Sequence, residues 1–279
     1  MAIIQWYPGH IAKAERELKQ QLKTVDVVLE VVDARIPLAS QHPQVSQWVE
    51  SKPRLLVINR QDMIPESLHA KWIGWFQRQG VSVYLTDAQQ GKGIKPLLKA
   101  AQKAGEEVNE KRRRRGMRDR AVRAVVIGFP NVGKSALINR LVGRKVVSSA
   151  RKAGVTRQLK WVRISPQIEL LDAPGVIPPK LEDQAAAIKL AICDDIGEAA
   201  YDLQNIAEEL IELLKELDKI DILGKRYHLP LQDLTGSAYL CALAQHRHHN
   251  DVERTARELL NDFRKGLMGT IPLEFPPNL

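Results

Sequence analysis

The segment 128–135, GFPNVGKS, fits the phosphate-binding pattern G-x-x-x-x-G-K-[ST] at every fixed position. The apolar run 124–127 predicts a buried strand before it, and the residues from Ala136 onward predict a helix after it. A strand, a glycine loop and a helix N-terminus together let backbone N–H groups converge on phosphate oxygens. The alternative, a chance glycine turn before a helix, does not explain these flanks. We therefore expect Lys134 to reach the β- and γ-phosphates of a nucleotide and the Ser135 hydroxyl to bind Mg²⁺.

Composition is typical of a soluble globular protein with a basic surface. The chain has 279 residues, 44% hydrophobic and 27% charged, and its net charge is +9. This excess favours a polyanionic partner such as nucleic acid, with ordinary solubility charge as the alternative. No apolar run reaches ~18 residues and no secretory signal pattern is present, so we expect a cytoplasmic protein with no membrane partner. Cys193 and Cys241 have no metal or redox spacing.

Hydrophobic periodicity predicts an α/β fold. Strands are predicted over 25–33, 54–58, 81–85, 124–127, 159–164 and 167–171, and helices over 11–23, 66–79 and 94–109. Strands that alternate with helices build a mostly parallel sheet flanked by helices, and ligands bind at the carboxyl ends of its strands. The last two strands are expected to pair through a turn at Ser165-Pro166.

From residue 181 onward the pattern becomes helical, with predicted helices over 201–218, 233–246 and 252–265. We therefore predict two domains: residues 1–179, which hold the nucleotide site, and residues 180–279, a small all-α C-terminal domain. The first domain contains a basic linker, 111–123, with eight Lys or Arg residues and one Asp. We expect this linker to contact nucleic-acid phosphates, with a solvated helix tail as the alternative.

The segment 59–62, NRQD, resembles the N-K-x-D element with which GTPases recognise the base. Asp62 can accept two hydrogen bonds from guanine, one from N1–H and one from the exocyclic amino group, whereas adenine offers no such pair. Asn59 would brace the loop near the purine N7. Arg60 replaces the usual lysine, and its guanidinium can still lie over the base. Ala88 lies in a second strand-end loop, where its N–H would meet guanine O6.

The segment 172–175, DAPG, matches the D-x-x-G element that follows a strand after the phosphate loop. Asp172 would hold Mg²⁺ through water, and the Gly175 N–H would contact the γ-phosphate. Thr156 is the one threonine between the phosphate loop and Asp172, and we expect it to close onto Mg²⁺ and the γ-phosphate.

The order of these motifs is unusual, because the base-reading segments precede the phosphate loop. In most GTPases the phosphate loop comes first and the base readers come last. The same sheet can be built if the usual termini are joined, here through the basic linker 111–123, and the chain is opened elsewhere. The short connection 176–180 then leads directly into the C-terminal domain, so the nucleotide state could move that domain as a lever.

With these motifs in place, the chain resembles the ribosome biogenesis GTPase A (RbgA, YlqF) family of circularly permuted P-loop GTPases. The resemblance includes the segments 6–10 (WYPGH), 12–14 (AKA), 33–37 (DARIP) and 269–274 (GTIPLE), the motif order and the helical C-terminus. It implies an assembly factor for the large (50S) ribosomal subunit, a monomer off the ribosome, whose GTP hydrolysis the subunit stimulates. It also implies that the C-terminal domain binds rRNA. The chain departs from the family pattern at Arg60, and at Ala153 where a proline is common.

The sequence also predicts slow hydrolysis in isolation. Val176 occupies the position where many GTPases place a water-orienting glutamine. The resemblance points to His10 as the residue that swings toward the nucleotide and positions water or acts as a base, with a turn histidine that caps the next helix as the alternative. Asn131 resembles the asparagine with which relatives bind K⁺, with a plain loop residue as the alternative.

The predicted site can be stated residue by residue. The predicted catalytic residues are His10, Lys134 and Thr156; the predicted ligands are Ser135, Thr156 and Asp172 for Mg²⁺ and Asn131 for K⁺. GTP or GDP is expected to contact Asn59, Arg60, Asp62, Thr86, Asp87, Ala88, Asn131, Val132, Gly133, Lys134, Ser135, Ala136 and Gly175. Two other functions stay open: a GTP-dependent RNA-binding module with negligible turnover, and another P-loop NTPase, such as an ATPase or kinase, that acts on RNA.

Overall fold

The computed structural model describes residues 4, 9–49, 52–147, 160–173, 175, 177–178, 181–229 and 234–277, with the backbone alone at 9–14 and 160. Within these residues one sheet of six strands runs through the molecule. The strands are β1 Val27–Asp33, β2 Arg54–Asn59, β3 Ser82–Thr86, β4 Val122–Ile127, β5 Lys160–Ser165 and β6 Ile168–Asp172.

The spatial order of the strands is β3-β2-β1-β4-β6-β5. Neighbouring strands are parallel except at the edge, where β5 is antiparallel to β6. The predicted mostly parallel sheet and the pairing of the last two strands are therefore confirmed. Because parallel strands share one direction, β1, β2, β3, β4 and β6 all bring their carboxyl ends to the same edge.

The helices surround this sheet and then continue as a helical C-terminal region. They are α1 Gly9–Leu22, α2 Val45–Val49, α3 His69–Arg78, α4 Ile94–Arg114, α5 Lys134–Val142, α6 Gln184–Cys193, α7 Leu203–Glu216, α8 Asp221–Tyr227, α9 Gly236–His248 and α10 Val252–Arg264. Short 3₁₀ turns occur at Gln61–Met63, Glu66–Leu68 and Glu198–Ala200. None of the helices in the described part of the chain is both long and apolar enough to span a bilayer.

The predicted basic linker differs from the structure at both ends. Helix α4 continues through Arg114 instead of ending near residue 109, and β4 begins at Val122, so only residues 115–121 connect the two elements. The extra turn carries four consecutive basic residues, 111–114. Lysine and arginine are good helix formers, and positive charge is favourable at a helix C-terminus, so this turn is stable although its sequence is polar.

The sheet is buried on both faces. Alternate residues of β1, such as Leu29 and Val31, belong to the core that also contains α4, α5 and the helices of the C-terminal region. Val28 packs on the opposite face with α1 and α2, and Val32 packs there with Trp72 of α3. A strand that is apolar at successive positions can bury both faces, which is typical of parallel sheets.

The helical C-terminal region shares its core with the sheet. Ile192 of α6 and Phe263 of α10 lie in the same cluster of buried residues as Ile36, which follows β1. Within the region, Arg264 donates to the carbonyls of Ala191 and Ile192 at 2.9 and 3.0 Å and so satisfies the end of α6. The division at residue 179 remains a prediction, because residues 179–180 lie outside the described part of the chain.

His42 predicts a pH dependence of folding. His42 is 4% exposed, the centroid of its ring lies 4.5 Å from that of the Trp48 ring, and burial lowers the pKa of His42 to about 4. Between pH 6.5 and 4 the unfolded chain therefore binds a proton that the folded chain rejects, so stability is fully present above pH 6.5 and falls as the pH drops toward 4. We expect the unsubstituted protein to lose about 2 kcal/mol of stability between pH 7 and pH 5 through His42, and we expect this loss to disappear in His42→Phe, measured by urea unfolding at the two pH values.

The exposed His246 provides the control for this measurement. His246→Phe should follow the pH dependence of the unsubstituted protein. Parallel stability curves for His42→Phe and the unsubstituted protein would contradict the assignment.

Candidate nucleotide-binding site

The phosphate loop connects β4 to α5 in a conformation that requires glycine. Gly128 and Gly133 have φ values of 147° and 101°. A Cβ on Gly128 would lie 2.3 Å from the Val31 carbonyl oxygen, and one on Gly133 would lie 2.1 Å from Asn59 Nδ2. These are distances that a side chain cannot adopt, so the loop can pass close to its neighbours only because both positions lack a Cβ.

Lys134 is buried at the first position of α5. Its Nζ donates to the carbonyl oxygens of Gly128 and Phe129 at 3.1 and 2.6 Å, so the ammonium is held by its own loop. Burial lowers the pKa of Lys134 to about 8, against the opposing effect of the Asp172 carboxylate. A positive group held in this way is ready to bind phosphate. Ser135 and Ala136 follow in the first turn of the helix, where the backbone N–H groups are free of intrahelical bonds.

The D-x-x-G segment meets the phosphate loop from the neighbouring strand. Asp172 ends β6 beside Val126 of β4 and is 2% exposed. A Cβ on Gly175 would lie 2.7 Å from the Pro130 nitrogen, so the chain after β6 passes directly against the loop. The structure therefore brings Asp172 and Gly175 to the phosphate loop, as the motif spacing predicted.

Asn59 joins the phosphate loop to the base-reading segments. Its Nδ2 donates to the Val132 carbonyl at 2.9 Å. Its Oδ1 accepts from the Thr86 hydroxyl and the Ala88 N–H, each at 3.1 Å. The bracing role predicted for Asn59 corresponds to these three bonds. The Ala88 N–H, predicted to meet guanine O6, is used here within the protein.

Arg60 has a left-handed backbone, with φ 62°, at the end of β2. Its Nη2 donates to the Asn131 carbonyl at 2.6 Å, and its Nη1 lies 3.2 Å from Asp33 Oδ2. The guanidinium thus contacts the phosphate loop and a buried carboxylate, and its predicted position over the base stays a prediction. A planar group with several donors suits this double contact better than a lysine ammonium does.

Asp62 and Asp87 occupy different environments. Asp62 is exposed in the 3₁₀ turn Gln61–Met63, where partial burial and next the Asp87 carboxylate raise the pKa of Asp62. Asp87 is 2% exposed, and its Oδ1 accepts from the backbone N–H groups of Gln89 and Gln90 at 2.9 Å each. Asp87 therefore shapes its own loop, and Asp62 is the carboxylate of the pair that lies open at the surface.

Some predicted residues lie outside the described part of the chain. Thr156 and Val176 are among them, and of His10 only the backbone is described, as the second residue of α1. Within the described residues, no group of three or more His, Cys, Asp or Glu side chains is arranged to hold a metal ion. A Mg²⁺ site made of hydroxyl, carboxylate and phosphate oxygens is a different donor set, and Ser135 and Asp172 supply the first two.

Sequence reasoning missed a group of charged residues beside the phosphate loop: Asp33, Arg35, Asp194 and Asp195. The first two belong to the segment 33–37 on which the family resemblance rests, but no role was derived for them. Asp194 and Asp195 follow α6, and Asp194 lies 63 positions after Asn131, the loop residue that it contacts. No local pattern marks such residues, because only the fold brings them to the loop.

Comparison with known proteins agrees with this geometry. A family described as 50S ribosome-binding GTPase matches residues 123–226. Ribosome biogenesis GTPase A of Bacillus cereus is 36% identical over 282 residues, which cover 98% of this chain and 94% of the relative. The chain belongs to the ribosome biogenesis GTPase A family. The family member from Priestia megaterium is 34% identical over 98% of this chain and 97% of its own length.

A solved structure places the fold in the same family. The GDP-bound structure of YlqF from T. maritima superposes with a TM-score of 0.68 at 25% identity, covering 94% of this chain and all of that chain. The strand order agrees with a circularly permuted GTPase of this family, since β4 with its phosphate loop lies at the centre of the sheet and the base-reading strands come earlier in the chain. The predicted family and fold class are confirmed.

Asn59 gives a direct test of the site's architecture. Asn59→Ala removes one donor and one acceptor from three buried hydrogen bonds, and we expect a loss of about 1–3 kcal/mol in the free energy of unfolding. We also expect faster hydrogen exchange at the phosphate-loop amides 131–134, because the Val132 carbonyl loses the hydrogen bond from Asn59 that holds the loop in place. Urea unfolding and exchange mass spectrometry measure the two effects.

Asn109→Ala serves as the matched control. Like Asn59, Asn109 uses both its amide nitrogen and its amide oxygen: it bonds to the Arg120 carbonyl at 3.0 Å and to the Arg120 N–H at 3.3 Å, but at the other end of the sheet. It should lower stability without changing loop exchange. Unchanged loop exchange in Asn59→Ala would refute the bracing role.

Proposed function

We propose that this chain is a GTP-hydrolysing assembly factor for the large (50S) ribosomal subunit and binds rRNA in a nucleotide-dependent way. One observation carries the nucleotide part of the proposal: the Asn59 amide holds the phosphate loop and both base-reading loops together at one edge of the sheet. Such a constellation suits one ligand with phosphates at one end and a purine at the other. Family membership supports the ribosomal part.

In the proposed complex, Lys134 and the backbone N–H groups of the loop bind the β- and γ-phosphates, and Asp62 accepts the two donors on the guanine edge. Mg²⁺ fits an oxygen donor set made of the Ser135 hydroxyl, the Thr156 hydroxyl and, through water, the Asp172 carboxylate. When bound, the ion would neutralise phosphate charge. K⁺ would use the Oδ1 atom of Asn131, since Nδ2 donates to the Asp194 carbonyl at 2.7 Å.

Hydrolysis needs an oriented water, and Val176 cannot supply the hydrogen bond. His10 is our proposed substitute, because an imidazole near neutral pH can orient water or accept its proton. His10 is the second residue of α1, which begins at Gly9. We propose that docking on the subunit brings this residue to the nucleotide, which would explain slow turnover in isolation. Val176 also favours a second candidate function, a GTP-dependent RNA-binding module with negligible turnover.

A basic surface at the end of the sheet opposite the nucleotide site supports an RNA partner. The last turn of α4 carries Lys111, Arg112, Arg113 and Arg114. Beside it a cleft of about 500 Å³ separates α4 from the turn between β5 and β6, and arginines 113, 120 and 163 line it. Dense arginine at a cleft of this size is suited to phosphates of an RNA strand.

An exposed tryptophan extends this surface along the edge strand. Trp161 of β5 is 38% exposed, and the Arg123 guanidinium lies 5.5 Å from its ring. Trp161 and Arg163 are two residues apart on β5 and so share one face of the sheet. Aromatic rings and arginine planes on a sheet face stack on unpaired RNA bases, so we propose that Trp161 and Arg163 contact rRNA.

Asp62→Asn tests guanine recognition. The amide presents a donor where the carboxylate accepted two hydrogen bonds, so we expect GTP affinity to fall about 100-fold and affinity for xanthosine triphosphate to rise. Competition against a fluorescent GDP measures both. Asp218→Asn, at an exposed helix end, is the control and should bind as the unsubstituted protein does. Normal GTP binding by Asp62→Asn, or equal competition by ATP in the unsubstituted protein, would favour another P-loop NTPase.

Arg163→Glu combined with Trp161→Ala tests the RNA surface. We expect about tenfold weaker co-sedimentation with large subunits in the presence of a GTP analogue, because one stacked base is worth about 1–3 kcal/mol, with unchanged GDP affinity. Lys71→Glu, on the exposed face of α3, controls for charge reversal. If the double variant and Lys71→Glu co-sediment equally well with large subunits, this surface does not contact rRNA. Subunit binding without faster GTP turnover in the unsubstituted protein would favour the RNA-binding module.

A further inference from the structure

The end of α6 contacts the phosphate loop directly. The Asn131 Nδ2 donates to the Asp194 carbonyl at 2.7 Å and lies 3.3 Å from Asp194 Oδ2. Asp194 ends the helix in a left-handed conformation, with φ 66°, and this turns its carbonyl toward the loop. Asn131 is itself left-handed, with φ 56°. The side chain of a phosphate-loop residue is thus oriented by the helical C-terminal region.

A second connection runs through a buried ion pair after β1. Arg35 is fully buried, and its Nε and Nη2 donate to the two Asp33 carboxylate oxygens at 2.9 and 2.7 Å. The same Nη2 donates to the Cys193 carbonyl of α6 at 3.3 Å, and the guanidinium lies 5.2 Å from the Phe263 ring of α10. Arg35 therefore ties the sheet to two helices of the C-terminal region.

Residues near the C-terminus, Leu273 and Glu274, also contact the segment that follows β1. The backbone N–H groups of Leu273 and Glu274 donate to the Arg35 carbonyl at 2.9 and 3.1 Å. The Glu274 carboxylate accepts from the Leu38 N–H at 2.7 Å and from Lys189 of α6 at 3.2 Å. The segments 33–37 and 269–274, on which the family resemblance rests, thus contact each other through Arg35, Leu273 and Glu274.

Arg60 carries this connection to the nucleotide site. It binds Asp33 through Nη1 and the Asn131 carbonyl through Nη2. Two routes from the helical region therefore converge on Asn131: Asp194 holds its side chain, and the chain Arg35–Asp33–Arg60 holds its carbonyl. Asn131 is therefore held from two sides, and it has little freedom to move unless α6 moves as well.

We propose that α6 is part of the nucleotide site: Asp194 is a positioning residue for Asn131, and nucleotide affinity depends on how the helical region is seated. This inference rests on the proposed GTP binding. Because linkage is reciprocal, bound nucleotide strengthens or weakens the seating of α6 by the same factor. A ribosomal partner that pulls on the helical region would then change nucleotide affinity without touching the nucleotide.

The backbone of Asp194 offers a sharp test. Valine disfavours the left-handed conformation that presents the carbonyl, whereas glycine retains both the conformation and the carbonyl. Asp218, with φ 53°, is a matched position: the same residue type at another helix end of the same region, with its N–H bonded to the Lys215 carbonyl at 2.9 Å. Asp218→Val therefore reports the cost of backbone strain alone.

We would measure GDP affinity, and hydrogen exchange of amides 131–134 in the nucleotide-free protein, for Asp194→Val, Asp194→Gly and Asp218→Val. We expect about a tenfold loss of affinity and faster loop exchange in Asp194→Val, a loss of about twofold in Asp194→Gly, and neither effect in Asp218→Val. Equal behaviour of the two Asp194 variants, or an equal effect of Asp218→Val, would overturn the proposal.

Thermal unfolding verifies that the variants fold. If Asp194→Val does not fold, Asn131→Ala is the second variant, because it removes the Nδ2 donor to the Asp194 carbonyl. In this variant, hydrogen exchange at amides 194 and 195 should become faster and should no longer respond to GDP. An unchanged response would overturn the proposal. If the unsubstituted protein binds neither GDP nor GTP, the proposed function fails, and the loop exchange of the nucleotide-free variants still decides whether Asp194 positions Asn131.

Discussion

One buried amide holds the loops of the candidate nucleotide site together. Asn59 has to donate to the phosphate loop and accept from the base-reading loop at the same time, and only an amide side chain of this length offers both atoms. A carboxylate lacks the donor, and an apolar side chain lacks both. The requirement extends to the loop, because a Cβ on Gly133 would collide with Asn59 Nδ2. The glycine of the motif is thus needed for a protein contact as well as for phosphate.

Two buried carboxyl groups beneath this site, those of Asp33 and Asp195, have pKa values shifted in opposite directions. Burial alone would raise the pKa of Asp33, but the guanidinium groups of Arg35 and Arg60 hold it below its ordinary value. Burial and next the Asp33 carboxylate raise the pKa of Asp195 well above its ordinary range, which favours its neutral form. The Asp33–Arg35 pair lies within one segment at the end of β1, and breaking such a buried pair costs about 3–5 kcal/mol, so Arg35 is held firmly where its Nη2 donates to the Cys193 carbonyl of α6. The same contact gives the helical region a physical connection to the phosphate loop.

Much of the fold could be predicted because its signals are local. The apolar runs of β1 and β2 and the glycine pattern of the phosphate loop each identify their element from a few neighbouring residues. The predicted helices do not include α2, α6 or α8. Five and seven residues are too few for a periodic pattern in α2 and α8, and the ten residues of α6 are mostly apolar, so no polar face marks the helix. The end of α4 was placed too early because its last turn is wholly basic. Nucleotide binding by Asp87 stays a prediction, and the sequence did not indicate that Asp87 is buried and accepts two hydrogen bonds within its own turn.

The sequence by itself determined the family, the permuted order and the glycine-rich loop 128–135, and it predicted the base-reading segments, because each depends on residue types at short spacing. Only the tertiary structure decided that Asn59 joins the two halves of the site, that Arg60 binds Asp33 and Asn131, and that Asp194 holds the phosphate loop. Those contacts join residues 27 to 73 positions apart in the chain. Contacts at such separations arise from strand order and helix packing, and no local pattern of residues encodes them.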